Sequence, residues 1–160
     1  MASRKSTSLL IYEQEKHRDA TLALQPTQHQ EAEAHQTVLV LEDTKSLSIV
    51  GLIRYELKLR ISGEMEIYDD SAWYICWICA DSGHGTDLLL KFEDLARTRH
   101  VKTLHLSCYA SNGESEETVL TRFNFYQKHG YRFVGVQYET EQEEDGFLRI
   151  QTCFKRMKVL

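Results

Sequence analysis

The stretch CADSGHGTDLLLKFEDL, Cys79 to Leu95, concentrates residues that could do chemistry. An apolar run ends, two glycines follow one residue apart, and a helical pattern begins at once. A helix N-terminus presents unpaired N–H groups and the positive end of the helix dipole, so Gly83 and Gly85 at its mouth would let an anion approach the backbone closely. A tight strand-to-helix turn with no ligand is the alternative reading of the same pair. Just upstream, Cys76 and Cys79 form C-x-x-C, a spacing used elsewhere for redox chemistry or zinc. Here it falls inside AWYICWICA, an apolar run that reads as a buried strand. Residues three apart on a strand point to opposite faces, which predicts inert thiols that cannot share a metal. His17, His29 and His35 lie in a polar N-terminal region without metal-like partners and read as surface histidines.

Elements must position these residues, and the hydrophobic pattern supplies them. SLLIYE is a candidate first strand, and LQPTQHQEAEAHQ, with the chain's one proline, reads as loop or weak helix. TVLVLED and SIVGLIRYELKLRI follow; the second alternates Ile49, Gly51, Ile53, Tyr55, Leu57 and Leu59 against a polar-containing face, a strand signal. SGEMEIYDDS is expected to turn the chain into AWYICWICA, apolar on both faces as in the middle of a covered sheet. From Thr86 to Arg99, Leu88, Leu89, Phe92, Leu95 and Ala96 recur at helical spacing, with Glu93 and Arg97 as an i,i+4 pair on the polar side. VKTLHLSCY turns Leu104, Leu106 and Cys108 inward. After the polar loop ASNGESEE, Ser115 is a candidate N-cap of a helix from Glu116 to His129, striped by Val119, Phe123 and Tyr126 and stopped by Gly130. FVGVQYE and FLRIQTCFKRM, separated by TEQEEDG, read as a terminal hairpin. The order is strands, helix, strand, helix, two strands, an α/β arrangement around one sheet.

Bulk properties narrow the function. With 160 residues and 42% hydrophobic content, the chain suits one domain with its own core. A formal charge of −5 argues against binding a phosphate backbone and favours a neutral or cationic partner. The apolar run Leu9, Leu10, Ile11, Tyr12 is too short for a secretory leader and no later segment reads as a membrane span, so a cytoplasmic address is expected, with no nucleic-acid or membrane partner.

The succession GHGTDLL, helix, strand ending near SCYASN, and helix closing in NFYQKHGYRFVGV resembles the GNAT superfamily of acyl-CoA-dependent N-acetyltransferases. The likeness covers the second half of the chain in residues and nearly all of it in element order. It implies a single GNAT-like domain over residues 1–160, with a mixed, mostly antiparallel central sheet of about six to seven strands flanked by helices. It also implies acetyl-CoA as co-substrate, no metal, a primary amine acceptor on a small molecule or peptide (a polyamine, lysine or small-molecule amine), and a possible homodimer. In that family the turn after the central strand holds the CoA pyrophosphate on its amides. Gly83, His84, Gly85, Thr86 and Asp87 occupy those positions, with Ser82 before them and Ile78, Cys79 and Ala80 ending the strand. His84 would contribute its amide, its ring facing solvent or phosphate. Ala80 stands where the family usually has Gln or Arg, and the turn is short. Asn112 and Phe123 fall where the family approaches the cofactor arm.

In the family's direct-attack mechanism a base takes a proton from the amine and a tyrosine protonates the leaving thiolate. YQKHGY supplies Tyr126, Gly130 and Tyr131, and Tyr126 matches the acid, though its stripe would bury it as a core aromatic in any case. The base is left open among Asp81, His84, His105, a residue of the EMEIYDD turn and a water chain. Glu64, Glu66, Asp69, Asp70 and the run Glu139 to Asp145 would flank the acceptor or simply be solvated. A GNAT-fold binding or scaffold module without strong catalysis is the alternative function.

Overall fold

The computed structural model describes residues 6–12, 17, 35–110, 114–142, 146 and 148–160. Pro26, His29, Asn112 and the acidic residues 143–145 lie outside that set. The chain divides into two compact units, Met1–Lys102 and Thr103–Leu160.

The first unit runs β1 (Thr7–Ile11), β2 (Thr37–Asp43), β3 (Ser48–Ser62), β4 (Met65–Ala80) and α1 (Gly85–Thr98). The four strands are antiparallel neighbours in chain order. Alternation along β2 and β3 buries Leu39, Leu41 and Ile53, and α1 buries Leu88, Leu89, Phe92 and Ala96. Fully burying a large apolar side chain stabilises by about 1.5–3 kcal/mol, so this helix is held by its inner stripe. Trp73, Tyr55 and Phe92 form one aromatic cluster, with centroids 4.4 Å apart for Tyr55–Trp73 and 5.1 Å for Tyr55–Phe92. Gly51 explains how closely α1 approaches: a Cβ there would sit 3.1 Å from Leu88 Cδ2 and 3.4 Å from the Cβ atoms of Ala80 and Leu41.

Several expectations change here. From Met65 onward the segment EMEIYDD is strand, because Ser62 pairs with Met65 and the reversal needs only Gly63, at φ 64°, and Glu64. The irregularity lies later: Lys58 pairs with Asp69 and Leu57 with Trp73, and Asp69 Oδ1 accepts from Ser71 N and Oγ at 2.9 and 2.7 Å. Glu93 is on the buried side of α1, 1% exposed, with Arg97 3.5 Å away. His17 is buried, its ring 5.9 Å from that of Tyr12.

The opposed-thiol argument also fails. Arg54 pairs with Trp77 but Tyr55 with Ile75, so Cys76 is an extra residue, a bulge. Leu52, Arg54 and Glu56 share one face of β3, and their partners Cys79, Trp77 and Tyr74 share it with them. Cys76 Sγ lies 3.7 Å from Gln36 Nε2, which also donates to Glu56 Oε2 at 3.1 Å. The bulge has therefore brought both sulfurs to the same face.

The second unit runs β5 (Thr103–Ala110), α2 (Glu116–Lys128), β6 (Arg132–Gln142) and β7 (Leu148–Val159). β7 lies between β5 and β6, antiparallel to both. Leu104, Leu106 and Cys108 are buried as their alternation requires. Phe123 of α2 packs edge-on against Phe154 at 4.9 Å, and the Arg156 guanidinium sits 5.4 Å from the Phe123 centroid. Seven strands and two α-helices of the described residues thus carry the expected element order.

Candidate functional site

The glycine turn is set by backbone hydrogen bonds. Asp81 N donates to Val50 O and His84 N to Asp81 O, each at 2.9 Å, while Gly83 takes φ 83°, a conformation costly for any residue with a Cβ. α1 then starts, with Leu88 N donating to His84 O at 3.0 Å. His84 is the N-cap by position but makes no side-chain capping bond. Its amide, expected to face a phosphate, is taken up by Asp81, and its half-buried ring has Nδ1 shielded from solvent without a hydrogen-bond partner.

The helix's first turn is Gly85, Thr86 and Asp87, at the positive end of its dipole. The Asp87 carboxylate is engaged: Thr7 Oγ1 donates to its Oδ2, fastening β1 to α1. Nearby, Asp43 has its carboxyl held below the usual range by the amides of Lys45 and Ser46, at 2.8 and 3.3 Å, with a smaller contribution from His84. Ser82 and Thr86 are exposed; Ile78, Cys79 and Ala80 are half-buried. Cys79 packs against the cluster of Val40, Ile49 and Leu52, so its side chain serves the apolar layer.

In the second unit, Tyr126 is 7% exposed and packs edge-on against Phe125 and Tyr131, at 5.3 and 5.8 Å. Burial first, and then the Cys108 sulfur, push its phenol well above the usual tyrosine range, with Arg122 opposing. An ordinary tyrosine is already protonated at neutral pH, so the shift makes this phenol a weaker acid rather than creating the donor form. Burial also pushes the Cys108 thiol up to about 11. Gly130 reverses the chain after α2 at φ 86°, so that Tyr131 N reaches Tyr126 O at 3.0 Å and the Tyr131 ring is fully buried. That reversal accounts for the spacing of YQKHGY. Arg122 donates to Tyr109 O at 2.7 Å and pairs with Glu114.

The candidate bases separate. Asp81, Glu64, Glu66 and Asp70 are exposed, Asp69 caps Ser71, and His105 Nε2 lies 3.0 Å from Thr103 Oγ1. One pair was missed: His35 Nε2 lies 2.9 Å from Glu56 Oε2. Sequence reading had treated the two separately, one as surface histidine and one as a strand's polar face. Among the described residues no group of three or more His, Cys, Asp or Glu is placed to hold a metal ion. Nor is any helix among them long and apolar enough to cross a membrane.

No protein-family model matches the chain, and no curated protein sequence does. Solved structures do. The ribosomal-protein-S18-alanine N-acetyltransferase of Escherichia coli superposes with a TM-score of 0.63 at 13% identity, over 96% of this chain and 93% of that one. An aminoglycoside 6'-N-acetyltransferase complexed with coenzyme A gives 0.62 at 15%, over 95% and 96%. The structure of a probable acetyltransferase (GNAT family) from Chromobacterium violaceum gives 0.64 at 11%, over 98% and 89%. At such identities the likeness speaks for architecture, and by architecture this chain has the fold of the GNAT N-acetyltransferases.

Proposed function

We propose that the chain acts as one domain over residues 1–160, an N-acetyltransferase that moves the acetyl group of acetyl-CoA to a primary amine by direct attack. The observation that carries this reading is the uncapped N-terminus of α1, opened by Gly83 and Gly85 directly after β4, within a GNAT fold. The pyrophosphate would rest on the amides of Gly85, Thr86 and Asp87, with Ser82, Gly83 and His84 shaping the turn. Ile78, Cys79 and Ala80 would line the cofactor arm, and Asn112 and Phe123 are carried over by resemblance. Tyr126, which matches the family's acid by position, would protonate the thiolate. The acceptor class is a small-molecule or peptide amine, in keeping with the alanine and aminoglycoside acetyltransferases that share the fold. A cytoplasmic, metal-independent enzyme, as monomer or homodimer, completes the reading.

Calorimetric titration with acetyl-CoA tests the cofactor assignment, and Gly85→Val, which puts a branched Cβ on the approached backbone, should abolish the heat. Equal binding by Gly85→Val would move the phosphate site elsewhere. Screening a polyamine, an N-terminal alanyl peptide and an aminoglycoside for release of free CoA then tests turnover. Ala80, with no side chain to reach a phosphate, and the Asp87 carboxylate at the helix N-terminus favour the second reading, a GNAT-fold module that binds but barely catalyses. Acetyl-CoA binding without turnover of any amine would select it.

A further inference from the structure

We propose that His35 is the general base of this reaction and Glu56 its positioning residue, an inference that rests on the acetyltransferase reading above. The imidazole Nε2 lies 2.9 Å from Glu56 Oε2, and Gln36 Nε2 donates to the same oxygen at 3.1 Å. Two donors thus converge on one carboxylate oxygen, fixing the carboxylate and the ring it holds. A carboxylate bonded to an imidazole orients the ring and stabilises the imidazolium formed when it takes a proton. The side chain of His35 is 43% exposed and that of Glu56 22%, so the ring is the member a substrate can reach.

Position along β4 links this pair to the cofactor. Gln36 Nε2 also lies 3.7 Å from Cys76 Sγ, which places the cluster level with the bulge. Cys76 precedes the strand's last residue, Ala80, by four positions, roughly 13 Å at the rise of a strand. That is comparable to the reach of a pantetheine arm whose diphosphate is held just beyond Ala80, so a thioester laid back along β4 ends beside His35. The charged and titratable neighbours of the pair are Arg54 and Lys58, flanking Glu56 on β3, Tyr74 and Cys76 on β4, and Asp69, opposite Lys58, with the Tyr68 ring 6.4 Å from that of His35.

The step balances as follows. His35 takes one proton from the acceptor ammonium and returns it to solvent. The freed lone pair forms the C–N bond to the acetyl carbon as the C–S bond breaks. The thiolate takes up a proton from the acid, which is replaced by the second proton lost from nitrogen. Each turnover releases one proton.

Two measurements test this. In the first, the His35 imidazole signal, identified by its loss in His35→Gln, is followed by NMR as acetyl-CoA is added to the full chain, with calorimetry in parallel. The signal should shift in step with saturation. Binding heat without any change at His35 overturns the inference and leaves the acetyltransferase reading intact; no binding heat overturns that reading and the inference with it. In the second, turnover with the amine selected by the screen should fall ~10²–10⁴-fold in His35→Gln, with the KM for acetyl-CoA unchanged. Hydroxylamine, largely unprotonated at neutral pH, should lose far less. Glu56→Gln should show a smaller loss and an altered pH–rate profile, which a purely structural role would not produce. Equal losses for both acceptors, or none, overturn the assignment.

Discussion

The two helices among the described residues begin in opposite ways. α2 starts from Ser115, in extended backbone at φ −68° and ψ 147°, whose hydroxyl accepts from Thr118 N at 3.2 Å, and Glu116 and Glu117 follow in the first turn. Its N-terminus is satisfied by its own side chains. α1 starts from His84, which offers no capping bond, behind a glycine at positive φ. A side-chain cap takes up first-turn amides, whereas a helix without one offers the positive end of its dipole to an anion. Under the proposed function the contrast would divide the labour: α1 would contribute its backbone, and α2 a side chain near its far end, Tyr126.

The strongest test of that division removes one atom. Tyr126→Phe keeps the ring in its packing against Phe125 and Tyr131 and deletes the hydroxyl. If α2 serves through that hydroxyl, kcat should fall ~10²–10⁴-fold while acetyl-CoA affinity and thermal midpoint hold. Turnover unchanged when chemistry limits the rate would reduce Tyr126 to a core aromatic.

A smaller effect probes what holds α1 in place of a cap. Packing does so through Gly51, where a Cβ would stand 3.1 Å from Leu88 Cδ2. Gly51→Val should destabilise the protein by about 1–3 kcal/mol, the usual cost of overpacking, and displace the helix's first turn. Denaturant titration gives the stability and calorimetry the accompanying loss of acetyl-CoA affinity. A variant as stable as the parent would show that α1 tolerates a wider gap from the sheet.

What the sequence showed and what it hid divide along similar lines. Periodicity placed β2, β3, both helices and the terminal hairpin because those patterns depend on neighbours in the chain. The Ser115 cap and the Gly130 stop were legible for the same reason, as local backbone demands with few residue solutions. The EMEIYDD stretch was misjudged because its acidic residues suggested a loop, while only Gly63 and Glu64 were needed to reverse the chain. The bulge at Cys76 left no local mark: a register shift depends on two strands at once, and it inverted the argument about C-x-x-C. His35 and Glu56 are 21 positions apart in the sequence, and the hydrogen bond between them exists only once the sheet has formed. Glu93 was assigned to the polar face by its charge, yet it lies on the buried side of α1 beside Arg97. Features defined by local backbone conformation can be read from the sequence; those defined by pairing across strands cannot.

The comparison can next be inverted by giving α1 the cap it lacks. His84 sits in helical backbone, φ −104° and ψ −9°, so His84→Asp would cap the helix by charge, its carboxylate favoured at the positive end of the dipole by about 0.3–1 kcal/mol. The same carboxylate would occupy and repel the position of the pyrophosphate, so acetyl-CoA affinity should drop by about tenfold, equivalent to about 1.4 kcal/mol. A stabilised variant that binds as well as the parent would break the link between the uncapped terminus and the cofactor.

The smallest effect belongs to the helix that closes itself. Ser115→Ala removes the hydroxyl that accepts from Thr118 N and sits 2.8 Å from Thr118 Oγ1. The site is exposed, so water replaces part of what is lost, and the expected cost is about 1 kcal/mol. Glu116 and Glu117 remain to favour the helix dipole, which keeps the loss from growing. Acetyl-CoA affinity should not change, because in this division of labour the start of α2 serves only α2. Guanidinium titration and calorimetry on one preparation give both quantities. A loss of stability alone separates the two termini as described, whereas a parallel loss of affinity would mean that the capped helix end also takes part in holding the cofactor.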